Sequence, residues 1–379
     1  MDQQRLAGLS ILLAGYLLST AEVQAATWQG TVTSRLSTEY DSNPTMSPNY
    51  PGGVWRALFE PGYLATGREG VDEFRAGVGI QVERSSDTSL SQNRNSPRVG
   101  LDWRHEGEVN TIGISYNYFE TAIRNAGPIA VNQGLYGTSA SGTLSGTWGY
   151  ALGERSTLSA DGSYQAVSYK GPGPYLNYSM RTAGLKYSYE LSERNTSFVR
   201  VSDSEYVPSD GGQAIRVPSA LLGLDLKTEK TEWIVEGGRF RDNHGHSGPI
   251  GSLEAHFNGE RNQLVLTVGH VVLASGLGGV IKDDQKKVSW RYALSENSNT
   301  GIDVERNTYY YVQKSSLPIV AINAVDYSAT AAGAWLEHDL NVFWKVRTYY
   351  QHRMNKITGG DGAFSNMVGI SFGYLNPNF

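Results

Sequence analysis

The chain contains no cysteine. Disulfides, thiolate metal sites, cysteine nucleophiles and cysteine-ligated iron–sulfur clusters are therefore all excluded. Charge is scarce too: Asp, Glu, Lys and Arg make up 18% of 379 residues, below the usual quarter. The formal charge of -5 lacks the basic footprint of a nucleic-acid binder, so no nucleic-acid partner is expected. Beyond residue 25 no apolar run reaches the roughly 20 residues that a membrane-spanning helix needs. There is no phosphate-binding glycine loop, no calcium-loop spacing and no Gly-x-Ser-x-Gly elbow, although Ser139 and Ser141 follow Gly137.

What is abundant is glycine and tyrosine, with 44 and 23 residues, a bias towards strands and turns over helices. Residues 1–25 carry one cation, Arg5, then the apolar run Leu6 to Leu18, and end in Val23-Gln24-Ala25. That pattern reads as an export leader cleaved after Ala25, with residues 26–379 as the mature chain.

The mature chain repeats a segment of roughly ten residues that alternates apolar and polar, the period of a strand with two different faces. Phe74, Ala76, Val78, Ile80 and Val82 form one such row, and Ala183, Leu185, Tyr187, Tyr189 and Leu191 another. Short polar turns alternate with longer loops. Four turns resemble one another: Leu152-Gly153-Glu154-Arg155-Ser156, Leu191-Ser192-Glu193-Arg194-Asn195, Asn258-Gly259-Glu260-Arg261-Asn262 and Leu294-Ser295-Glu296-Asn297-Ser298. Counting connections gives an antiparallel all-β transmembrane barrel of about 18 strands, with about 16 as the alternative, no plug domain and both termini in the periplasm of a Gram-negative cell.

Tryptophan placement fits the interfacial girdles of such a barrel. Trp28, Trp103, Trp148, Trp233, Trp290, Trp335 and Trp344 map to the short-turn end and Trp55 to the other, with Tyr40, Tyr118, Tyr169, Tyr309 and Tyr350 as an outer belt. Val368, Ile370, Phe372 and Tyr374 alternate towards the terminal Phe379, but Pro377 cannot donate to a ladder, so the last strand is expected to end near Tyr374. No polar patch is apparent on the apolar face, which favours a monomer.

A plug-free barrel of this size leaves an aqueous lumen. The polar face supplies its candidate lining: Arg35, Arg56, Glu73, Arg75, Glu83, Arg98, Asp102, Arg104, Lys186, Lys345 and Arg347. These form either a basic wall that attracts an anionic polymer or sugar acid, or cross-strand ion pairs with Glu39, Glu60, Glu73 and Asp102 that stiffen the wall. Two loops carry apolar stretches suited to a lid, Ala126 to Val131 and Leu317 to Ile322. Among seven histidines, His244 and His246 beside Asp242 are a proton-transfer or metal pair on paper, and solvated loop residues otherwise. No catalytic, metal or cofactor site is assigned.

The segment Leu36-Ser37-Thr38-Glu39-Tyr40-Asp41-Ser42-Asn43-Pro44 and the repeated Leu-Ser-Glu-Arg-Asn turn resemble the outer-membrane barrel porins associated with exopolysaccharide and capsule export. The resemblance implies a pore for a polysaccharide, set in outer-membrane lipid and served by periplasmic export partners docking on the short turns. The alternatives are a general or sugar-selective diffusion porin for a small hydrophilic solute, and a non-conducting barrel that presents its loops for adhesion.

Overall fold

The computed structural model describes residues 27–49, 52–123, 137–171, 175–276, 279–314, 326–358 and 360–377. The export leader and the two apolar loop stretches named above lie outside them. The described chain is eighteen strands and no α-helix. In order they are β1 (Thr27–Asp41), β2 (Val54–Glu69), β3 (Asp72–Ser85), β4 (Arg94–Glu106), β5 (Asn110–Ala122) and β6 (Thr138–Gly153). Then come β7 (Ser156–Lys170), β8 (Tyr178–Ser192), β9 (Asn195–Pro208), β10 (Ile215–Lys227), β11 (Thr231–Arg241) and β12 (Ser247–Asn258). The last six are β13 (Asn262–Ser275), β14 (Gly279–Ser295), β15 (Ser298–Lys314), β16 (Tyr327–Asp339), β17 (Trp344–Ile357) and β18 (Gly362–Asn376).

Every strand pairs antiparallel with its sequence neighbours, and β1 closes on β18 from Val32↔Asn376 to Asp41↔Met367. Closure satisfies the backbone of every strand, which is what lets a sheet cross lipid. The last strand runs two residues past Tyr374, to Asn376.

Register assigns each side chain to a face. Leu36, Val78, Ile114 and Leu222 stand outward and are among the most exposed apolar residues, so the sheet is inverted relative to a water-soluble sandwich. This apolar belt on a closed barrel places the chain in the outer membrane. Three of the four similar turns share one further feature: the register shifts by a residue at Leu152, Leu191 and Leu294, just before the turn. A bulge inserts one unpaired residue and tightens the local twist, so the repeated turn sequence marks a repeated geometry.

The aromatic girdle needs three corrections. Trp335 shares a face with Asp303 and Arg347: its indole N–H donates to Asp303 Oδ2 at 3.1 Å, and the Arg347 guanidinium lies 4.4 Å above its ring. It therefore points into the lumen. A Cβ on Gly301 would fall 2.5 Å from that ring, so only glycine fits opposite it on β15. Tyr169 and Tyr309 also face inward. Tyr309 is buried against Ile281 and Tyr327, whereas Tyr40 packs on Trp55 in the outer belt. Period-2 alternation could not reveal these three, because an aromatic suits either an interface or a packed interior.

Candidate functional site: the lumen and its hairpin

Opposite the apolar belt, register places Arg35, Arg56, Glu73, Arg75, Glu83, Arg98, Asp102, Arg104, Lys186, Lys345 and Arg347 on the inner face. Their surroundings differ by sector. Along β1 to β4 each of five arginines meets an acid. Arg56 bonds Glu39 at 2.7 Å and Asp41 at 2.9 Å, Arg94 bonds Glu83, Arg98 meets Glu60 at 3.5 Å, Arg75 bonds Glu73, and Arg104 meets Glu106 at 2.6 Å. Arg75, Arg98 and Arg104 remain about half exposed, so these lower pairs are water-screened and weak. Lys186 lies 4.1 Å over the Phe198 ring, and Lys345 meets Glu337 at 3.4 Å.

The upper end of this wall is buried. Asp41 accepts from Arg56, from Arg353 Nη2 at 2.6 Å, from the Ser365 hydroxyl and from the Asn43 N–H at 3.2 Å. Asn43 reaches on to the Phe364 carbonyl at 3.0 Å, and Tyr349 donates to Glu39 at 2.6 Å. The Glu39 to Asn43 motif thus fastens β1 and the following loop to β17 and β18, across the line where the barrel closes.

A second sector, between β14 and β1, is different. Arg35, Lys287 and Arg347 line a cavity of about 320 Å³ with Trp335, Tyr349 and Gln351. None of the three cations makes an ion pair among the described residues, while Asp303 and Glu305 in the same cavity are occupied by Trp335 and Asn307.

The third feature is a hairpin. Pairing of β13 with β12 stops at Gly251↔His270, yet β13 and β14 stay paired from Val271↔Asp283 to Ser275↔Gly279. On its other edge β14 stays paired with β15 as far as Gly279↔Lys314, and this end, free of β12, bends inward. Val272, Ala274 and Val280 pack against Tyr206, Ile215, Val217 and Phe240, all on the inner face of β9 to β11. Leu273 and Ile281, on the opposite side, pack against Tyr309, Tyr327, Ala329 and Ile357. The tip reaches the β7–β8 connection, where Leu176 N–H donates to the Gly276 carbonyl at 2.7 Å and the Tyr169 hydroxyl closes on Gly276. Five strands separate β7 from β13, so the hairpin crosses the lumen as a chord. Val280 and Ile281 alone, nearly fully buried, contribute about 1.5–3 kcal/mol each to holding it there.

Residues 271–275 and 279–285 are thus strand rather than one of the longer loops, and sequence reasoning missed their role. A cue was present. Val271-Val272-Leu273-Ala274 is apolar without alternation, the mark of a strand covered on both faces.

Asp283 stands at the base of this hairpin, roughly 31 Å above the Ser295 turn and so past an apolar band about 25 Å tall; it is 5% exposed, and its Oδ1 has no hydrogen-bond partner among the described residues. Burial, together with Glu305 and Asp284, pushes its carboxyl up from 3.8 to about 6. The docked hairpin thus favours the protonated acid. Docking is fully stabilised below the ordinary value, weakens as the undocked carboxyl ionises first, and has lost this contribution once pH passes the raised value. Conductance is expected to rise from about pH 4 to about pH 6 and then level, and Asp283→Asn to flatten the curve. A wild-type barrel indifferent to pH over that range would show that this carboxyl does not govern docking.

The histidine pair is structural. Asp242 accepts the backbone N–H of His244 at 3.0 Å and of His246 at 2.8 Å, and its other oxygen meets the His246 ring at 2.8 Å. Burial opposes ionisation, but these bonds hold the Asp242 carboxyl below its ordinary value. The group closes a tight loop. No cluster of three metal-ligating side chains occurs among the described residues.

No family model and no curated protein matches the sequence. Solved structures do resemble the barrel. Pseudomonas aeruginosa OccK7 (OpdD) is 9% identical, with 94% of this chain and 100% of that one covered at a TM-score of 0.53. Pseudomonas aeruginosa OccK2 (OpdF), solved in complex with glucuronate, is 12% identical over 92% of this chain and 98% of that one, with a TM-score of 0.50. Pseudomonas aeruginosa OpdQ is 8% identical over 93% and 98%, with a TM-score of 0.51. The chain is an outer-membrane β-barrel of porin architecture. At these identities the likeness is one of fold.

Proposed function

We propose that the chain is a pore for small anionic hydrophilic solutes of the sugar-acid type, delivered to the outer membrane by the leader at residues 1–25. The observation that carries this reading is the trio Arg35, Lys287 and Arg347, without an ion pair among the described residues and beside Trp335, Tyr349 and Gln351 in one lumen cavity. A planar guanidinium binds carboxylate bidentately, and aromatic and amide neighbours suit a sugar ring. The hairpin favours small solutes over wide ones. Occupancy of the similarly folded OccK2 by glucuronate fits the same class of solute.

The refolded protein in a planar bilayer should be anion-selective and transiently blocked by glucuronate. Replacing Arg35, Lys287 and Arg347 by glutamine should lower the anion-to-cation permeability ratio several-fold and remove the block, since cations in a low-dielectric passage concentrate the field. Cation selectivity, or a triple variant with unchanged permeability ratio, would reject the assignment.

Export of an acidic polysaccharide is a second reading, supported by the exposed ladder of Arg68, Arg75, Arg98 and Arg104 along β2 to β4. A polymer with spaced carboxylates can exchange with the acids already on that ladder. Under this reading a long acidic polymer, applied from the periplasmic side, blocks the pore more strongly than glucuronate does, and export partners dock on the short turns. Equal or weaker block by the polymer leaves only the small-solute pore.

A further inference from the structure

The outer face is not uniformly apolar, contrary to the expectation from sequence. Across β8 to β11 the upper part of the belt carries Arg181, Asp203, Glu205, Arg216, Arg239 and Arg241, all on the lipid side by register. Two pairs form: Arg181 with Glu205 at 3.7 Å, and Arg216 with Asp203 at 2.6 Å through its Nε. Arg239 and Arg241 make no ion pair among the described residues. Their nearest neighbours across the strands are Ala220 and Pro249 for Arg239, and Ser247 for Arg241.

At about 3.4 Å per residue and a tilt near 40°, Arg239 and Arg241 stand roughly 21 and 26 Å above the Thr231 turn, at the upper edge of an apolar band about 25 Å tall. Directly below them lies a depression. It holds about 880 Å³, walled by Ala183, Leu185, Val201, Pro218 and Ala220 with Arg239 and Arg241 at its rim. Further down the same strands a second hollow of about 480 Å³ continues past Tyr187, Val199, Leu222 and Gly237. The furrow arises from missing side-chain volume, since small residues stand where other sectors carry Leu, Phe or Tyr. It also follows from a pinch between β10 and β11, where a Cβ on Gly238 would lie 1.9 Å from the Ala220 carbonyl oxygen.

We propose that this furrow holds an acyl chain of a phosphorylated glycolipid from the outer leaflet, with Arg239 and Arg241 on its phosphate. Charge complementarity selects this occupant. Two unpaired guanidinium groups at the headgroup level match a phosphate in fork geometry, and they open straight onto an apolar channel running away from the water interface. A neutral lipid would leave both arginines unanswered, and a second copy of this face would bring four like charges together.

The test uses the full-length barrel purified in detergent. Bis-phosphorylated lipid A and its dephosphorylated form are each titrated in and bound lipid is counted by native mass spectrometry. Arg239→Gln with Arg241→Gln removes the phosphate contacts, and Ala183→Phe fills the furrow without touching charge. One bis-phosphorylated lipid should bind per wild-type chain, with affinity lowered by about tenfold or more on dephosphorylation, in the double arginine variant and in Ala183→Phe. Barrel folding is read independently from the heat-dependent shift in gel mobility. Equal binding of the two lipid forms, binding unaffected by the variants, or a lipid-free dimer broken by Ala183→Phe would each overturn the proposal.

Discussion

Excising residues 272–282 and joining Val271 to Asp283 through an Asn-Gly turn is expected to raise single-channel conductance several-fold while the barrel stays folded. The two residues face each other in register, so a two-residue hairpin closes the cut without distorting β13 or β14. The excised segment lies above the closed ring: β12 has already parted from β13 at His270, and Gly279 to Lys282 pair only with the end of β15, which has itself left β16 beyond Tyr309↔Tyr327. What it does contribute is a chord of side chains packed on both faces, from Tyr206 and Phe240 on one wall to Tyr309 and Tyr327 on the other. A lumen of eighteen strands is wide enough for a water-filled channel once nothing spans it. Conductance equal to wild type in the excised barrel would mean that ions already pass beside the hairpin and that the narrow point lies elsewhere.

The largest stability effect should come from Asp41→Ala. Asp41 is fully buried and receives Arg56, Arg353, Ser365 and the Asn43 amide, while Arg56 is itself 2% exposed. Removing one member of a buried charge cluster leaves its partners desolvated and uncompensated, which costs about 3–5 kcal/mol. Arg353 would be left without its carboxylate and Arg56 with Glu39 alone. The midpoint of urea unfolding in lipid vesicles, with Ser219→Ala as a control on the same face, measures the effect. A loss below about 1 kcal/mol would indicate that water replaces the carboxylate, as at exposed ion pairs.

The strand count was legible because two local signals agree. Alternation marks each strand, and the Leu-Ser-Glu-Arg-Asn turns, with their bulges, mark the end at which the chain reverses tightly. Alternation also sorts Arg35, Arg75 and Arg98 onto one face, since period 2 needs no tertiary information. Which arginines have an acid within reach does not follow from it. Strand stagger sets Arg56 beside Glu39 and Asp41 but leaves Arg347 over Trp335, and stagger is a property of the closed sheet. The hairpin escaped for a related reason: its apolar run looked like a loop because its partners, Tyr206 and Tyr309, lie far away in sequence. The furrow is invisible to any linear reading, because its walls come from four strands.

The polar knot around Asp41 has a meaning for the order in which the ring is completed. Asp41 and Ser365 are 324 residues apart, and bringing such distant ends together costs about 5 kcal/mol of chain entropy. No other junction between neighbouring strands bears that debt, since all the rest join consecutive segments. The cluster around Asp41 sits at the last pair of this one junction, Asp41↔Met367, and its bonds from Arg353 and Ser365 act as a clasp that can form only after β17 and β18 have arrived. A barrel with an opened clasp retains seventeen intact strand junctions and two loose edges, β1 and β18, and those edges are where a neighbouring strand would enter.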